Sequence, residues 1–380
     1  MAPSSNAGEQ RTACTRRIHF IYWCKIRGIY DEIFPIIKLS PTGIMYAMAF
    51  YAAFLATGHA IALKSIKSGT VKKYLSDIAK FLQNFDTETD RNVCKPKGTI
   101  ARPIQSITNE MKRFEDMPKR REPWTLQLQS RLDKICEDET PDSLIPCLQN
   151  IYGNGLVSGD RRVEILQPGF NRAPEKPQLN NRDEPYAFMK NDIIFFAANR
   201  RSVIPHAKAI KYPRSVFYVQ KRYRVQKNGD NGATKIHARN TTHPNLCNVT
   251  HWLTIIDRFI RLVGKSVNDR PLAIYKDAKT GKILNICSND SKKTMQMVVK
   301  LEYGYTEKVD LDRWTNHSLR VGACCILQSQ KTPDHVIQDT LRWKSETWKM
   351  YCRNLASVAI DLSNTISDEF DQTLLANLII

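Results

Sequence analysis

The sequence predicts a mainly helical α+β protein of two domains, in which a helical domain precedes a larger domain that also holds a small antiparallel sheet. The chain has 380 residues, and domains of about 100–200 residues are typical, so two are expected. Apolar residues recur at three- and four-residue steps in the first third of the chain, as in amphipathic helices. Past the middle, one segment alternates apolar and polar residues and runs into an Asn- and Gly-rich turn, as in a β-hairpin.

The chain is strongly basic, which indicates a polyanionic partner. It carries 57 Lys and Arg against 38 Asp and Glu, a formal net charge of +19. Hydrophobic residues make up 42%, enough for folded cores, so the charge belongs to a globular protein. Nucleic acid is the first candidate and an anionic membrane surface the second, and charge alone does not separate them.

The cysteines predict neither a metal site nor disulfides. There are ten, and none stands in a CxxC pair or with zinc-type spacing. A long chain without a secretory leader is expected to keep them as free thiols in a reducing compartment. We therefore expect a protein that is not secreted and binds no metal.

The first predicted domain is helical and follows a basic segment. Residues 1–40 predict an irregular N-terminal arm, and residues 41–117 a helical domain. Within it, residues 44–63 are mostly apolar and long enough to span a bilayer. An amphipathic helix follows within ten residues, which favours a buried helix of a globular domain. Two further helical stripes are Val71, Leu75, Ile78, Leu82 and Phe85, and Ile104, Ile107, Met111 and Phe114.

Residues 118–125 predict a basic linker between the domains. Two prolines interrupt the helical pattern there and flank Lys119, Arg120 and Arg121. Such a cluster is ordinarily a solvated connection. Between two basic domains, it is also a candidate to lie along a phosphate backbone.

The second predicted domain spans residues 126–355 and mixes helices with strands. Residues 127–150 predict a helix and residues 168–185 a loop. Residues 193–196 and 216–225 predict strands, an Asn-Gly-Asp-Asn-Gly turn follows, and residues 235–238 form the return strand. A long amphipathic helix covers residues 246–263, helices continue from residue 312, and residues 356–380 form a C-terminal tail.

The most informative stretch lies near the C-terminus. Residues 316–354 read NHSLRVGACCILQSQKTPDHVIQDTLRWKSETWKMYCRN. His317 and Arg320 are three residues apart and share a helix face, so both can reach one phosphate. Trp343 follows 23 residues later and Tyr351 eight residues after that. This pattern resembles the C-terminal signature of the tyrosine recombinases, the family of phage integrases and bacterial Xer proteins.

The resemblance extends upstream and covers roughly residues 44–355. Residues 156–167 read LVSGDRRVEILQ, which puts Arg161 and Glu164 where the family has its first arginine and an acid. Lys227, at the hairpin turn, fits the family's lysine, with Lys221 and Lys235 near the same hairpin. The segment KRFEDMPKRREPWT also resembles the interdomain region of recombinase-like proteins from eukaryotic mobile elements.

Two residues depart from the family pattern. Asp160 stands where an apolar residue is usual, and Arg342 replaces the usual glycine before Trp343. The step from Trp343 to Tyr351 is one residue shorter than in most phage and bacterial members, and residues 168–185 lengthen the gap after Glu164. These departures bear on whether this chain is active.

The resemblance implies a SAM-like core-binding domain, a tyrosine-recombinase catalytic domain and a set of roles. Arg161 and Arg320 clamp the non-bridging oxygens of a DNA phosphodiester. Tyr351 attacks the phosphorus, with His317 as proton acceptor, because free phenols ionise only near pH 10. Lys227 protonates the leaving 5′ oxygen. Trp343 donates its indole N–H to a phosphate oxygen, and Glu164 holds its neighbours in place.

The implied product is a 3′-phosphotyrosine, whose rejoining needs no cofactor. The implied partner is double-stranded DNA rather than a membrane, with homo-oligomers assembling on it, in a nucleus or in a nucleoid or cytoplasm. Two alternatives remain. One is a domesticated DNA-binding protein of the same fold that has lost catalysis, and the other is a type IB topoisomerase.

Overall fold

The computed structural model describes residues 7–34, 37–57, 66–83, 100–115, 120–166, 185–226 and 231–351. The chain divides into two compact units, Met1–Pro118 and Lys119–Ile380. Both are mainly helical, and the second adds small antiparallel sheets. This confirms the predicted fold class.

The first unit is a helical cluster around an apolar core. Its helices are α1 (Ala7–Ile26), α2 (Tyr30–Ile33), α3 (Pro41–Ala56), α4 (Ser68–Leu82) and α5 (Arg102–Phe114). The α3 helix starts at a proline, and the Ser40 hydroxyl accepts a hydrogen bond from the Gly43 amide at 3.1 Å.

The prediction of an irregular arm over residues 1–40 is wrong, because α1 is a helix of 20 residues that belongs to the core. Phe20, Trp23 and Cys24 are buried, and the rings of Phe20 and Trp23 pack on Tyr51 of α3. These residues have the i, i+3, i+4 spacing of a buried helix face. The basic residues around them obscured it, since they occupy the other faces of the same helix.

The apolar residues 44–63 contribute α3, which ends at Ala56, and residues 58–65 lie outside the described part. Ile44, Met48, Ala52 and Leu55 of α3 are buried. No helix in the described ranges is both long and apolar enough to cross a membrane. A core helix, rather than a membrane span, is therefore what the described residues form here.

The two helical stripes are confirmed over most of their length. Val71, Leu75, Ile78 and Leu82 are all buried in α4, and Phe85 lies outside the described residues. On α5, Ile104 is buried and Ile107 and Met111 pack against the core. Phe114 was wrongly assigned, since it is 87% exposed at the end of the helix.

The second unit begins with helices and a four-stranded sheet. The elements are α6 (Leu126–Cys136), α7 (Leu144–Ser158), α8 (Arg162–Ile165), β1 (Ile193–Phe196), β2 (Val203–Ile204), α9 (His206–Lys211), β3 (Tyr218–Tyr223) and β4 (Ala233–Ala238). The antiparallel sheet has the order β2-β1-β3-β4. The single helix predicted over residues 127–150 is in fact two, because the chain turns through Asp138–Ser143, which includes Pro141.

The rest of the unit is helical apart from a two-stranded sheet. Its elements are α10 (Asn248–Val263), β5 (Ile274–Lys276), β6 (Ile283–Asn285), α11 (Ser288–Tyr303), α12 (Lys308–Leu311), α13 (Ser318–Ser329) and α14 (Asp334–Leu341), followed by a 3₁₀ segment, Glu346–Tyr351. One large apolar core joins α6, α7, α10 and α11 to β1 and β3.

The segment predicted as a linker is largely part of the second unit, which corrects the assignment of residues 118–125. Trp124 is fully buried in the core, and its amide donates to the carbonyl of Ser318 at 2.9 Å. The Trp124 carbonyl also lies where a Cβ at Gly322 would stand, so only glycine fits at that point of α13. Residues 120–125 are thereby fixed against the helix that carries His317 and Arg320.

Candidate functional site

The α13 helix presents His317 and Arg320, one at its N-cap and one a turn further on. The Arg320 guanidinium donates from Nη1 to the Gly159 carbonyl at 2.6 Å and from Nη2 to the Leu341 carbonyl. Its carbon atom Cζ lies 4.3 Å from the ring centroid of Trp343. The ends of α7 and α14 therefore fix the orientation of a buried cation.

Arg161 is held just after α7 by a reciprocal cap on the short helix α8. Its amide donates to Glu164 Oε2 at 2.6 Å, and its Nη1 donates to Glu164 Oε1 at 3.1 Å and to Gln226 Oε1 at 3.3 Å. Its Nη2 donates to the carbonyl of Arg342 at 3.3 Å. Since a fifth of its side chain remains exposed, Arg161 can still receive an anion.

Three rings from residues 317–351 meet beside these arginines. Trp343 and Tyr351 are stacked, with 5.3 Å between ring centroids and 2° between planes. The His317 ring lies edge-on to Tyr351 at 5.1 Å and 69°. Cys325 Sγ donates to the Tyr351 carbonyl at 3.2 Å, which ties the 3₁₀ segment to α13. A phenol and an imidazole are thus neighbours.

The electrostatics of the site favour a neutral imidazole and a bound anion. Burial, together with the charges of Arg320 and Arg121, lowers the pKa of His317 below its ordinary value of 6.5. The ring is therefore a free base at neutral pH. Burial and repulsion from Arg161 and Arg342 lower the pKa of Arg320 to about 9, but the guanidinium remains charged at pH 7. A phosphate placed among these cations would relieve their repulsion.

A buried ionic network underlies the site, and it joins the two departures from the family pattern. Arg342 Nη1 lies 3.5 Å from Asp160 Oδ1, and its Nη2 lies 2.6 Å from Glu164 Oε2. Lys221 Nζ donates to Asp160 Oδ2 at 2.8 Å and Tyr223 Oη to Asp160 Oδ1 at 2.7 Å. Asp160 also accepts hydrogen bonds from Asn154 and Ser158.

Asp160 and Lys221 form the fully buried ion pair of this network, and both are charged at neutral pH. Burial opposes ionisation of Asp160, but Lys221 and Arg342 outweigh it and hold the pKa of Asp160 below its usual range. Burial lowers the pKa of Lys221 to about 8, against the attraction of Asp160. Around the site, four cations (Arg161, Lys221, Arg320, Arg342) therefore face two carboxylates (Asp160, Glu164), and the balance is positive.

Sequence reasoning missed the parts played by Lys221 and Tyr223, although a signal existed. On β3, Val219, Lys221 and Tyr223 alternate onto the buried face, so Lys221 is a lone charge among apolar residues. A lysine in that place requires a buried counter-ion. Asp160, in an otherwise apolar stretch, was the matching anomaly.

The other residues predicted to act at the site are the lysines of the β3–β4 hairpin and the basic cluster of residues 119–121. Lys227 and Lys119 lie outside the described residues. Opposite Lys221 in the hairpin register is Lys235, whose Nζ lies 2.5 Å from Asp339 Oδ1 and whose side chain is 25% exposed. Arg120 and Arg121 are exposed, and Arg121 donates to the Asp312 carbonyl.

Within the described ranges, no group of His, Cys, Asp and Glu side chains is arranged to hold a metal ion. The structure thus brings together Arg161, Glu164, His317, Arg320, Trp343 and Tyr351, from four separate elements or turns.

Comparison with known proteins gives only distant similarity. No family model matches the chain, and no curated protein does. Among solved structures, the chain is similar to the Tn1549 transposon integrase in complex with circular intermediate DNA, at TM-score 0.41 and 13% identity over 84% of each chain. It is also similar to that integrase in complex with transposon right end DNA, at TM-score 0.43 and 12% identity over 81% of this chain and 79% of the other.

Proposed function

We propose that this protein is a tyrosine recombinase that cleaves and rejoins double-stranded DNA through a 3′-phosphotyrosine intermediate. The observation that carries this proposal is the meeting of Tyr351 and His317 beside two anchored guanidiniums, those of Arg161 and Arg320. Two fixed cations supply the charge and geometry that bind a phosphodiester. A phenol next to a neutral imidazole supplies a nucleophile and its base.

Cleavage is a balanced transfer of the phosphoryl group. Tyr351 Oη forms a bond to phosphorus while the bond from phosphorus to the 5′ oxygen breaks, and the phenolic proton passes to His317. Arg161 and Arg320 stabilise the charge that develops on the non-bridging oxygens. Trp343 donates its indole N–H to one of them. Attack by a 5′ hydroxyl on the phosphotyrosine reverses these steps and rejoins the strand without ATP.

The leaving 5′ oxygen needs a proton, and a lysine of the β3–β4 hairpin is the proposed donor. Lys227 holds this role by its position in the family order. Lys235 is the alternative, because it faces the site side of the hairpin and is partly exposed. Lys221 is unsuited, since it is fully buried and bound to Asp160.

The proposed partner is duplex DNA, bound by several copies of this chain acting together in the nucleus or nucleoid. Lys119, Arg120 and Arg121 are proposed DNA contacts, because Arg120 and Arg121 are exposed at the start of the segment fixed against α13 and Lys119 directly precedes it in the sequence. The positive balance of charges at the site supports a polyanion as substrate. Glu164 is proposed to orient Arg161, to which it is hydrogen-bonded.

Capture of a covalent adduct tests this function. The protein is incubated with a pool of nicked duplexes of randomised sequence, and protein-bound DNA is recovered under denaturing conditions and sequenced. We expect an adduct that Tyr351→Phe abolishes, whereas the control Tyr305→Phe, on a partly exposed ring outside the site, leaves it unchanged.

The other outcomes separate the alternatives. If both the wild-type protein and Tyr351→Phe bind DNA and neither forms an adduct, the protein is a DNA-binding protein that has lost catalysis. An adduct on any sequence, together with relaxation of supercoiled plasmid, would identify a type IB topoisomerase. Against loss of catalysis stands the pairing of the two unusual residues, because Asp160 and Arg342 compensate each other instead of leaving a buried charge in the site.

A further inference from the structure

The two guanidiniums of the proposed clamp depend on one turn. Arg161 donates to the carbonyl of Arg342, at 3.3 Å, and Arg320 donates to the carbonyl of Leu341. These are consecutive peptide units at the end of α14, just before Trp343. Any rotation of this turn therefore moves the acceptors of both arginines together.

The turn has a backbone conformation that its residue does not favour. Arg342 has φ of 55° and ψ of 48°, in the left-handed region, where an L side chain is strained and glycine is preferred. The family pattern also leads one to expect glycine here. An arginine retained in this conformation needs a compensating interaction of its side chain.

That compensation is a buried anchor. The Arg342 side chain is 4% exposed, and its guanidinium reaches Glu164 at 2.6 Å and Asp160 at 3.5 Å. Its Cζ lies 3.8 Å from the ring centroid of Tyr223. Both carboxylates belong to the segment that carries Arg161. The side chain thus links the α14 turn to that segment, underneath the clamp.

The Arg342 side chain also affects how strongly Arg161 can attract a phosphate, because both arginines bind Glu164. Glu164 Oε1 accepts from Arg161, while Glu164 Oε2 accepts from Arg342. With Arg342 removed, Arg161 would be the only cation hydrogen-bonded to Glu164 among the described residues. A carboxylate that binds one arginine more closely offsets more of the field which that arginine presents to a phosphate. Arg342 therefore shares the Glu164 carboxylate with Arg161, so less of the positive field of Arg161 is offset on the side that would face DNA.

We propose that Arg342, with Asp160 and Glu164 as its buried counter-ions, is a positioning residue that aims Arg161 and Arg320 at the scissile phosphate. The inference rests on the proposed function. It assigns a role to two residues that would otherwise count as defects of the family pattern.

Three variants at one position test the proposal. Arg342→Gly relieves the backbone strain but removes the anchor, Arg342→Met keeps the stem without the charge, and Arg342→Lys keeps the charge. Single-turnover adduct formation and DNA affinity are measured for each. We expect Arg342→Gly and Arg342→Met to form adduct about 10²-fold more slowly, as for a misplaced catalytic group. Arg342→Lys should recover part of the rate.

The matched control is Arg258→Met, which removes a buried arginine of α10 whose Nε lies 3.7 Å from Asp142 Oδ1. It should lose stability but keep the rate of adduct formation. DNA affinity should stay within about twofold for every variant, because basic residues outside the site, such as Lys119, Arg120 and Arg121, are proposed to supply most of it. A merely structural role for Arg342 predicts that rate and affinity fall together with the folded fraction.

A wild-type adduct rate in Arg342→Gly would overturn the inference and leave the proposed function intact. Crystal structures of the wild-type and Arg342→Gly proteins give a test that needs no activity. We expect the bonds from Arg161 and Arg320 to the 341–342 carbonyls to be lost or lengthened in the variant. If both persist unchanged, the inference is wrong, whether or not the protein cleaves DNA.

Discussion

The two units differ in what they bury. In the described part of the first unit, the buried side chains are apolar apart from His19, Ser68 and Thr108. His19 is satisfied by the Tyr51 hydroxyl at 2.6 Å. The second unit buries fully charged groups, chief among them Asp160, Glu164, Lys221, Arg320 and Arg342.

The difference shows where apolar packing has been replaced by buried charge. A buried ion pair is seldom more stable than an apolar pair of the same volume, because desolvation cancels most of the attraction. The first unit follows the more stabilising option. The second places its charges beneath the candidate site, where Glu164 and Arg342 hold the partly exposed Arg161 in place.

The largest effect is expected at Arg320, the buried charge that is proposed to contact the scissile phosphate. Arg320→Ala should slow adduct formation by about 10²–10³-fold, as when one preorganised donor to a developing oxyanion is lost. It also leaves the carbonyls of Gly159 and Leu341 without this donor. Adduct yield in single-turnover reactions measures the change. A rate within tenfold of wild type would mean that the second unit buries this charge for structure alone.

The next effect concerns stability. Lys221→Met removes one partner of a fully buried ion pair and should lower the free energy of unfolding of the second unit by about 3–5 kcal/mol. Chemical denaturation followed by tryptophan fluorescence measures it. The double variant Asp160→Asn with Lys221→Met should regain part of the loss, because the buried carboxylate that has lost its nearest cation is then neutral.

A variant of the first unit provides the comparison. Leu75→Ala should cost about 2–5 kcal/mol through the cavity that it leaves in an apolar core. No second substitution in the ionic network should restore it. If Asp160→Asn restored the stability of Leu75→Ala as much as that of Lys221→Met, the proposed difference between an apolar core and a charged core would be wrong.

The smallest expected effect is on pH dependence. The pKa of His317 is lowered from 6.5 by burial and then by Arg320 and Arg121, so the ring stays neutral to a more acidic pH than free histidine. The rate of adduct formation should therefore be level from pH 7 down to about 6.5. It should fall only at lower pH, and His317→Ala should remove this limb. An acidic limb centred above pH 6.5 would contradict His317 as the base.

The helices with regular apolar spacing could be predicted from sequence because burial of one face is a local property. Val71, Leu75, Ile78 and Leu82 show this, and so does the strand that carries Val219 and Tyr223. The errors came where basic residues obscured the helical spacing of the apolar ones, as around Phe20 and Trp23. Trp124 was also missed, since a single tryptophan directly after a proline carries no periodic signal.

The sequence by itself determined the helical class, the hairpin, the positive charge and the order of the residues that resemble a recombinase site. Only the tertiary structure decided that Arg342 pairs with Asp160 across 182 positions of the chain, and that one turn supports both Arg161 and Arg320. Periodicity reports which face of an element is buried. The partner of a buried charge is chosen by the packing of distant elements, and no local pattern records that choice.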